Sequence, residues 1–443
     1  MVLGPGVAMD EHEVRLIERH RRWEREVPPL PPVEETRATV AERLAATCEA
    51  REAVFAEIER CRDDTIALLR TMVRIPSVNP SEGFEQEMAA FTARELRALG
   101  LATTEIETAP RRGNVLGRWW ISEGPSLLFY AHLDTVPVGD PAEWSYPPFA
   151  ATVADGRIWG RGAKDCKLGL AAAMMALRAL RAARVPLRGE AQVVAVADEE
   201  MGGHLGIAQL VDRGLIRADY AIYGEGFPNR VTIGHKGWVN LRITTRGKTA
   251  HTGYKQAGDN AILKMCRLAP LIEMLDFPEF SPHPVVPGRP LASVNIIQGG
   301  FKTNVVPDRC SITVDLRYPP GLTLEAILAR VQQVLAEARA CDPALGEVDV
   351  ELTNLARPSF MLPEEPLVEY MAAAVEAVTS RRPTAEGMQA TSDSRWILLD
   401  AGVPIVNFSM GNDSGHRPNE WCGIDDLIAT TKIYALMCLL LLC

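Results

Sequence analysis

The sequence predicts an α/β protein: a mainly parallel sheet with helices on both faces, into which a smaller α+β domain is inserted. Three observations predict it. From about residue 90 onward, short continuous apolar runs alternate with helical stretches, as strands buried on both faces do. Between about 237 and 354 the strands instead alternate apolar and polar residues, as strands with one wet face do. The chain also has 443 residues, more than one ordinary domain holds. The expected organisation is a helical N-terminal extension over 1–65, a main domain from 66–236 and 355–443, and an insertion over 237–354.

The elements follow in order. Residues 10–26 are dense in Glu, Arg and His at helical spacing, and Val27-Pro28-Pro29-Leu30-Pro31-Pro32 ends that helix. A second helical stretch spans 35–73, and no chemistry attaches to this leading segment. Buried strands are expected at Ser126–Ala131, Ala191–Ala197, Tyr220–Tyr223 and Ile405–Phe408, with an Ala-rich helix starting near Lys167. The insertion offers half-exposed strands at Trp238–Thr245 and Ser311–Arg317, and helices near 259–275 and 323–340. The apolar run Ala435–Cys443 is too short to span a bilayer and reads as the buried end of a last helix.

Composition narrows the function. Apolar residues make up 47% and charged residues 23%, the balance of a globular chain with a sizeable core. The formal net charge of -10 argues against non-specific nucleic-acid binding, which needs clustered cations. The nine cysteines are scattered, odd in number and without a CxxC pair, so neither a disulfide framework nor a thiolate zinc site is expected. The N-terminus shows no basic stretch leading into an apolar run. These features together predict a cytoplasmic protein that neither enters a membrane nor binds nucleic acid.

The chemistry gathers at strand ends. The first strand runs into His132-Leu133-Asp134, the second into Asp198-Glu199-Glu200, the third into Gly224-Glu225, and the fourth is followed by Gly415-His416. A loop, Gly160-Arg161-Gly162-Ala163-Lys164-Asp165, precedes the Ala-rich helix. Each cluster alone has an ordinary explanation: a structural histidine, a solvated Glu-Glu pair, an N-capping aspartate. In an open α/β sheet, however, ligands bind at the carboxyl ends of the strands, and imidazole and carboxylate groups converging there make a coherent site.

With these residues in view, the chain resembles the dinuclear zinc amidohydrolases and peptidases, the M20 peptidase family. That family includes succinyl-diaminopimelate desuccinylase, acetylornithine deacetylase, aminoacylase and the glutamate carboxypeptidases. The resemblance covers roughly residues 65–443. It is carried by His132-Leu133-Asp134-Thr135-Val136-Pro137, Gly160-Arg161-Gly162-Ala163-Lys164-Asp165-Cys166-Lys167, Asp198-Glu199-Glu200, Gly247-Lys248-Thr249-Ala250-His251, Asn304-Val305-Val306-Pro307 and Gly415-His416.

The resemblance implies a phosphorylase/hydrolase-like catalytic domain that binds two metal ions, and an inserted lid and dimerisation domain. Asp165 would bridge the ions, with His132 and Glu225 on one and Glu200 and His416 on the other. Imidazole and carboxylate ligands suit zinc, and cobalt or manganese can take its place. Glu199 would be the general base, moving a proton from the attacking water to the leaving amine. Asp134 would hydrogen-bond the His132 imidazole and fix its orientation. His251 would reach the site of a neighbouring subunit and steady the oxyanion, which implies a homodimer. Arg317 would grip a substrate carboxylate, and Asn304 would make a polar contact to substrate or oxyanion. Asp393, Ser394 and Arg395 fall where the family carries a further polar cluster.

Some positions depart from the pattern. No proline follows His251, and Glu225 is followed by Gly226-Phe227-Pro228 where the family often has Pro-Thr. The stretch Asn412–Pro418 is also particular to this chain, and Cys166 beside Asp165 reads as a small packing residue. These departures lie toward the substrate. By the resemblance, glutamate at 225 accompanies the deacylases and the carboxypeptidase-like members, whereas aspartate is more frequent in the dipeptidases. The leading expectation is therefore an amide hydrolase of N-acyl amino acids, of deacylase, desuccinylase or deacetylase type. The alternative is a metallo-dipeptidase or carboxypeptidase. A non-catalytic binding protein on the same fold is disfavoured, because base and ligands are all present.

Overall fold

The computed structural model describes residues 31–79, 85–227 and 229–443. The helix expected over 10–26 and the start of the proline break lie outside the described residues. The chain divides into two compact units. The smaller comprises Gly234–Phe360 and Gly387–Thr391; the larger takes the described residues up to Ile233, then Met361–Glu386 and Ser392–Cys443.

In the larger unit the sheet runs in the order 102–109, 112–120, 190–196, 126–132, 220–223, 405–407, 230–235. Its centre is parallel: Ser126–His132 pairs with Glu190–Val196 on one side and Tyr220–Tyr223 on the other, and Ile405–Asn407 extends the parallel set. Ala102–Ala109 and Arg112–Trp120 add an antiparallel flank. The sheet thus has its topological switch at strand 126–132, and His132, Asp198 and Glu225 leave it from one edge, where a crevice forms.

The four apolar strands expected from the sequence are present within a residue of their expected ends. Strand 102–109 carries no such signal. It reads Thr-Thr-Glu-Ile-Glu-Thr at its centre and is largely exposed at the sheet margin.

Helices complete this unit. The stretch expected over 35–73 forms three helices, Val33–Ala46, Cys48–Arg60 and Arg62–Arg74, interrupted by the single residues Thr47 and Cys61. At the first break the Thr47 hydroxyl donates to the Arg43 carbonyl at 2.9 Å, a local bond that competes with helix continuation. The apolar stripe of the second helix, with Val54 and Ile58, is buried; the helix itself packs on Lys167–Ala182 and Ile424–Leu442. The last of these runs buried from Leu427 almost without a break, as the apolar C-terminal run predicts. None of the helices in the described residues is long and apolar enough to cross a membrane. Helix 167–182 sits directly on the sheet edge because Gly169 meets Gly224; a Cβ on Gly169 would lie 2.2 Å from the Gly224 carbonyl oxygen. That close approach brings the start of the helix beside the end of strand 220–223.

The smaller unit holds a four-stranded antiparallel sheet in the order 291–299, 309–318, 237–246, 348–356. Alternating residues of 309–318 face a core of Val239, Leu241, Ile312 and Val314. Helices Ala261–Glu273 and Leu324–Cys341 add Leu268, Val331 and Leu335 to that core.

One buried carboxylate organises the loop before helix 167–182. Glu420 accepts the N–H groups of Lys164 at 2.9 Å and Asp165 at 3.0 Å, and pairs with Arg161 at 2.6 Å. Arg161 also donates to the carbonyls of Pro137 and Arg417. The Asp165–Cys166 peptide that follows is cis. Because both charges are sealed from water, removing one strands the other. Glu420→Ala is expected to destabilise the protein by about 3–5 kcal/mol in denaturant unfolding. The double variant E420M/R161M is expected to recover much of that loss; a double variant as unstable as Glu420→Ala would show that the pair is not the source.

Candidate metal centre

His132 ends its strand fully buried, with Nε2 3.1 Å from Asp165 Oδ1. The other Asp165 oxygen lies 3.3 Å from His416 Nε2, which is 3.1 Å from Glu200 Oε2. Ligand atoms of His132, Asp165 and Glu200 all lie within 4.8 Å of one another. Asp165 therefore stands between two imidazoles, one on each carboxylate oxygen. It does not cap the helix; Cys166 occupies the N-cap. Glu225, at the end of strand 220–223, joins the group through its charge: burial and repulsion by Asp165 push its carboxyl up to about 7.

Two of the chemistry-bearing residues adopt left-handed backbone, Asp198 at φ 71° and His416 at φ 64°. Such conformations cost free energy and cluster at functional sites. They turn the chain sharply, so that Glu199 and Glu200 point back toward strand 126–132 and His416 returns to Asp165.

The electrostatics are those of a site built for cations. Burial pushes the Glu199 carboxyl well above the usual range, and repulsion from Asp393, Glu200 and Glu225 adds to it. Burial raises Glu200 too. Asp165 goes the other way: burial opposes its charge, but the Lys164 ammonium and the two imidazoles hold its carboxyl well below the usual range. Hydrogen bonds to Asp165 and Glu200 push His416 up to about 11. Glu200 Oε1 is buried with no hydrogen-bond partner, an acceptor waiting for a positive group. Donor set, orphaned oxygen and charge imbalance all fit divalent cations of zinc type.

Asp134 meets the His132 ring with both its backbone and its carboxylate. The nearer contact of the His132 ring is with the Asp134 backbone: Nδ1 faces its carbonyl oxygen at 2.9 Å, while the carboxylate is 3.5 Å away. A carbonyl only accepts, so it holds a proton on Nδ1 and leaves Nε2 to face the site. The carboxylate also accepts the N–H groups of Glu199 at 3.1 Å and Glu200 at 3.0 Å.

The cluster at 393–395 also gains a structure. Tyr130 donates its hydroxyl to Asp393 at 3.1 Å, and burial pushes Asp393 up to about 7. Arg395 lies 3.2 Å from Asp393 and donates to the Gly202 carbonyl at 2.5 Å, gripping the turn that carries Glu199 and Glu200. Cys166 is buried, with its thiol pushed up to about 11 by burial, as suits a packing residue. His235 and His283 are structural: the first is buried against Ser359 at 2.9 Å, the second accepts the N–H of Val285 and Val286.

His251, Asn304 and Arg317 belong to the smaller unit. His251 and Asn304 are neighbours there, since Ala250–His251 pairs with Val305–Val306 and the Thr252 N–H donates to the Asn304 carbonyl at 3.1 Å. Arg317 makes a two-pronged pair with Asp315, at 2.6 and 2.9 Å, and donates to Thr391 at 3.2 Å. Glu420, Asn79, Tyr130 and Arg112 escape sequence reading; the only signal any of them carries is the nearness of Glu420 to His416 and of Tyr130 to His132 along the chain.

Known structures share this architecture. Human carnosine dipeptidase 1 superposes with a TM-score of 0.70 at 19% identity, over 88% of this chain and 99% of its own. The dipeptidase Dug1p from Saccharomyces cerevisiae gives 0.75 at 15% identity, over 88% and 98%. The Bacillus subtilis YXEP protein, a dinuclear metal-binding peptidase of the M20 family, gives 0.62 at 15% identity, over 87% and 99%. These likenesses establish the fold. The sequence profile of peptidase family M20/M25/M40 matches residues 128–439, a stretch that contains every residue of the cluster around Asp165, and the chain belongs to that family.

Proposed function

We propose that this chain, a hydrolase of carbon–nitrogen bonds by its family, cleaves an amide bond of short peptides, dipeptides foremost. The observation that carries the chemistry is the meeting of His132, Asp165 and Glu200 within 4.8 Å, with Glu199 next to Glu200 in sequence, partly buried and coupled by charge to His132 and Glu200. The preference for peptides is supported by the fold relatives described as dipeptidases. N-acyl amino acids, the first expectation from sequence, are the second reading, and Glu225 favours them.

In this reading His132 and Glu225 would hold one cation, Glu200 and His416 the other, and Asp165 would contribute to both. Zinc fits best; cobalt or manganese would serve. When bound, such ions acidify water and polarise the scissile carbonyl. Glu199 takes the proton from the attacking water and returns it to the leaving nitrogen, a two-way role that suits a carboxyl held high in pKa. Arg317 exchanges Asp315 for the substrate carboxylate, Asn304 contacts the substrate, and His251 steadies the oxyanion. The smaller unit then serves as lid and dimerisation domain, and the larger as the metal-binding catalytic domain.

A homodimer through the smaller unit is supported by its edge strand. Leu291–Gly299 has nine residues with no charge and no proline, and leaves Ile296, Ile297 and nearby Phe301 exposed at 51%, 56% and 76%. Edges of this kind are normally paired or protected. All nine cysteines are unpaired, which suits a reducing, cytoplasmic setting.

Three measurements test these readings. Glu199→Gln is expected to lower kcat by about 10²–10⁴ while zinc content holds; a variant of full rate would remove Glu199 as base. Chelation is expected to abolish hydrolysis and added Zn²⁺, Co²⁺ or Mn²⁺ to restore it, with dipeptides turned over faster than N-acyl amino acids. The reverse preference would transfer the assignment to the deacylases. Finally, Ile297→Lys is expected to convert a dimer to a monomer in light scattering, and an unchanged mass would exclude this edge as the contact.

A further inference from the structure

Glu199 and Glu200 stand on one short turn, and a buried chain of polar side chains fixes it. Both oxygens of Asp134 accept N–H groups from that turn. The Asn79 side-chain amide donates to Asp134 Oδ2 at 3.0 Å and lies 3.5 Å from Asp198 Oδ1. In the opposite direction, Asn79 Oδ1 accepts from Arg112 Nη2 at 3.0 Å. Arg112 pairs with Glu85, whose Oε1 accepts the Asp198 N–H at 3.3 Å. Asn79, Glu85, Asp134 and Asp198 are all at most 4% exposed. The mount of Asn79 is equally firm: its N–H donates to the Thr135 carbonyl at 2.9 Å, and the Thr135 N–H to the Ser77 carbonyl at 2.9 Å.

We infer that Asn79 is a positioning residue for the hydrolysis. It orients the Asp134 carboxylate so that one oxygen meets each N–H of the Glu199–Glu200 pair. The choice of side chain follows from what lies on either side. Asp134 needs a donor and Arg112 an acceptor, and a carboxamide supplies both without charge. A carboxylate at 79 would repel Asp134, and an apolar group would take one buried hydrogen bond from each neighbour. Through two hydrogen bonds, Asn79 thus sets the aim of a base and of a metal ligand that it does not touch.

The inference rests on the roles given above to Glu199 and Glu200. Asn79→Leu and Asn79→Asp are compared with wild type by thermal melting, steady-state kinetics and zinc affinity measured against a competing chelator. In folded variants, kcat and zinc affinity are each expected to fall about 10–100-fold, with KM within about twofold of wild type. Wild-type kcat and zinc affinity in both folded variants would overturn the inference, as would a loss accounted for wholly by the unfolded fraction. If neither folds, Asn79→Ser is measured in the same way, and wild-type values there overturn it. A fully active Glu199→Gln enzyme would sink the base assignment alone, because zinc affinity still reports on Glu200.

Discussion

Four carboxylates, those of Asp165, Glu199, Glu200 and Glu225, act on one another's charge, and the cost of gathering that charge in a largely dry part of the fold governs the larger unit. In a low-dielectric interior each would repel the others and shed its charge. Two imidazoles and the Lys164 ammonium compensate part of it. The remainder is the reason the site suits divalent cations. Burial, with this repulsion added, raises the Glu199 carboxyl well above the usual range.

The protein aims these groups through main-chain hydrogen bonds to buried carboxylates, used twice. Glu420 collects two consecutive N–H groups of the loop that presents Asp165, and Asp134 collects two consecutive N–H groups of the turn that presents Glu199 and Glu200. In each case a carboxylate outside the cluster fixes the backbone on which a carboxylate of the cluster stands. Each anchor has its own cationic or amide partner, Arg161 for Glu420 and Asn79 for Asp134. The functional side chains thus inherit the rigidity of the backbone.

Much of this was readable from the sequence, for a definable reason. Strands buried on both faces appear as unbroken apolar runs, so those ending at His132, Val196, Tyr223 and Asn407 announced themselves, and the ligand-type residues beyond them marked one sheet edge. The resemblance supplied the grouping of His132, Asp165 and Glu200, which the structure brings together. The polar strand 102–109 was invisible because its composition is that of a solvent-facing margin. Asn79, Arg112 and Glu420 were invisible for a deeper reason. As letters they are ordinary surface residues, and only burial, which depends on the finished fold, makes them consequential. Asp134 was singled out beside His132, but its hold on the Glu199 and Glu200 N–H groups was not visible in the sequence.

The order of the pieces along the chain has a consequence for biosynthesis. The smaller unit is drawn almost wholly from one uninterrupted stretch, Gly234–Phe360, so it can collapse while translation continues. The larger unit waits for strand 405–407, His416, Glu420 and the buried helix 424–442. Until those emerge from the ribosome, the apolar faces of strand 126–132 and helix 167–182 lack their cover and the loop at Asp165 lacks its anchor. The nascent chain therefore depends on residues 405–442 both to bury this core and to bring His416 and Glu420 to Asp165.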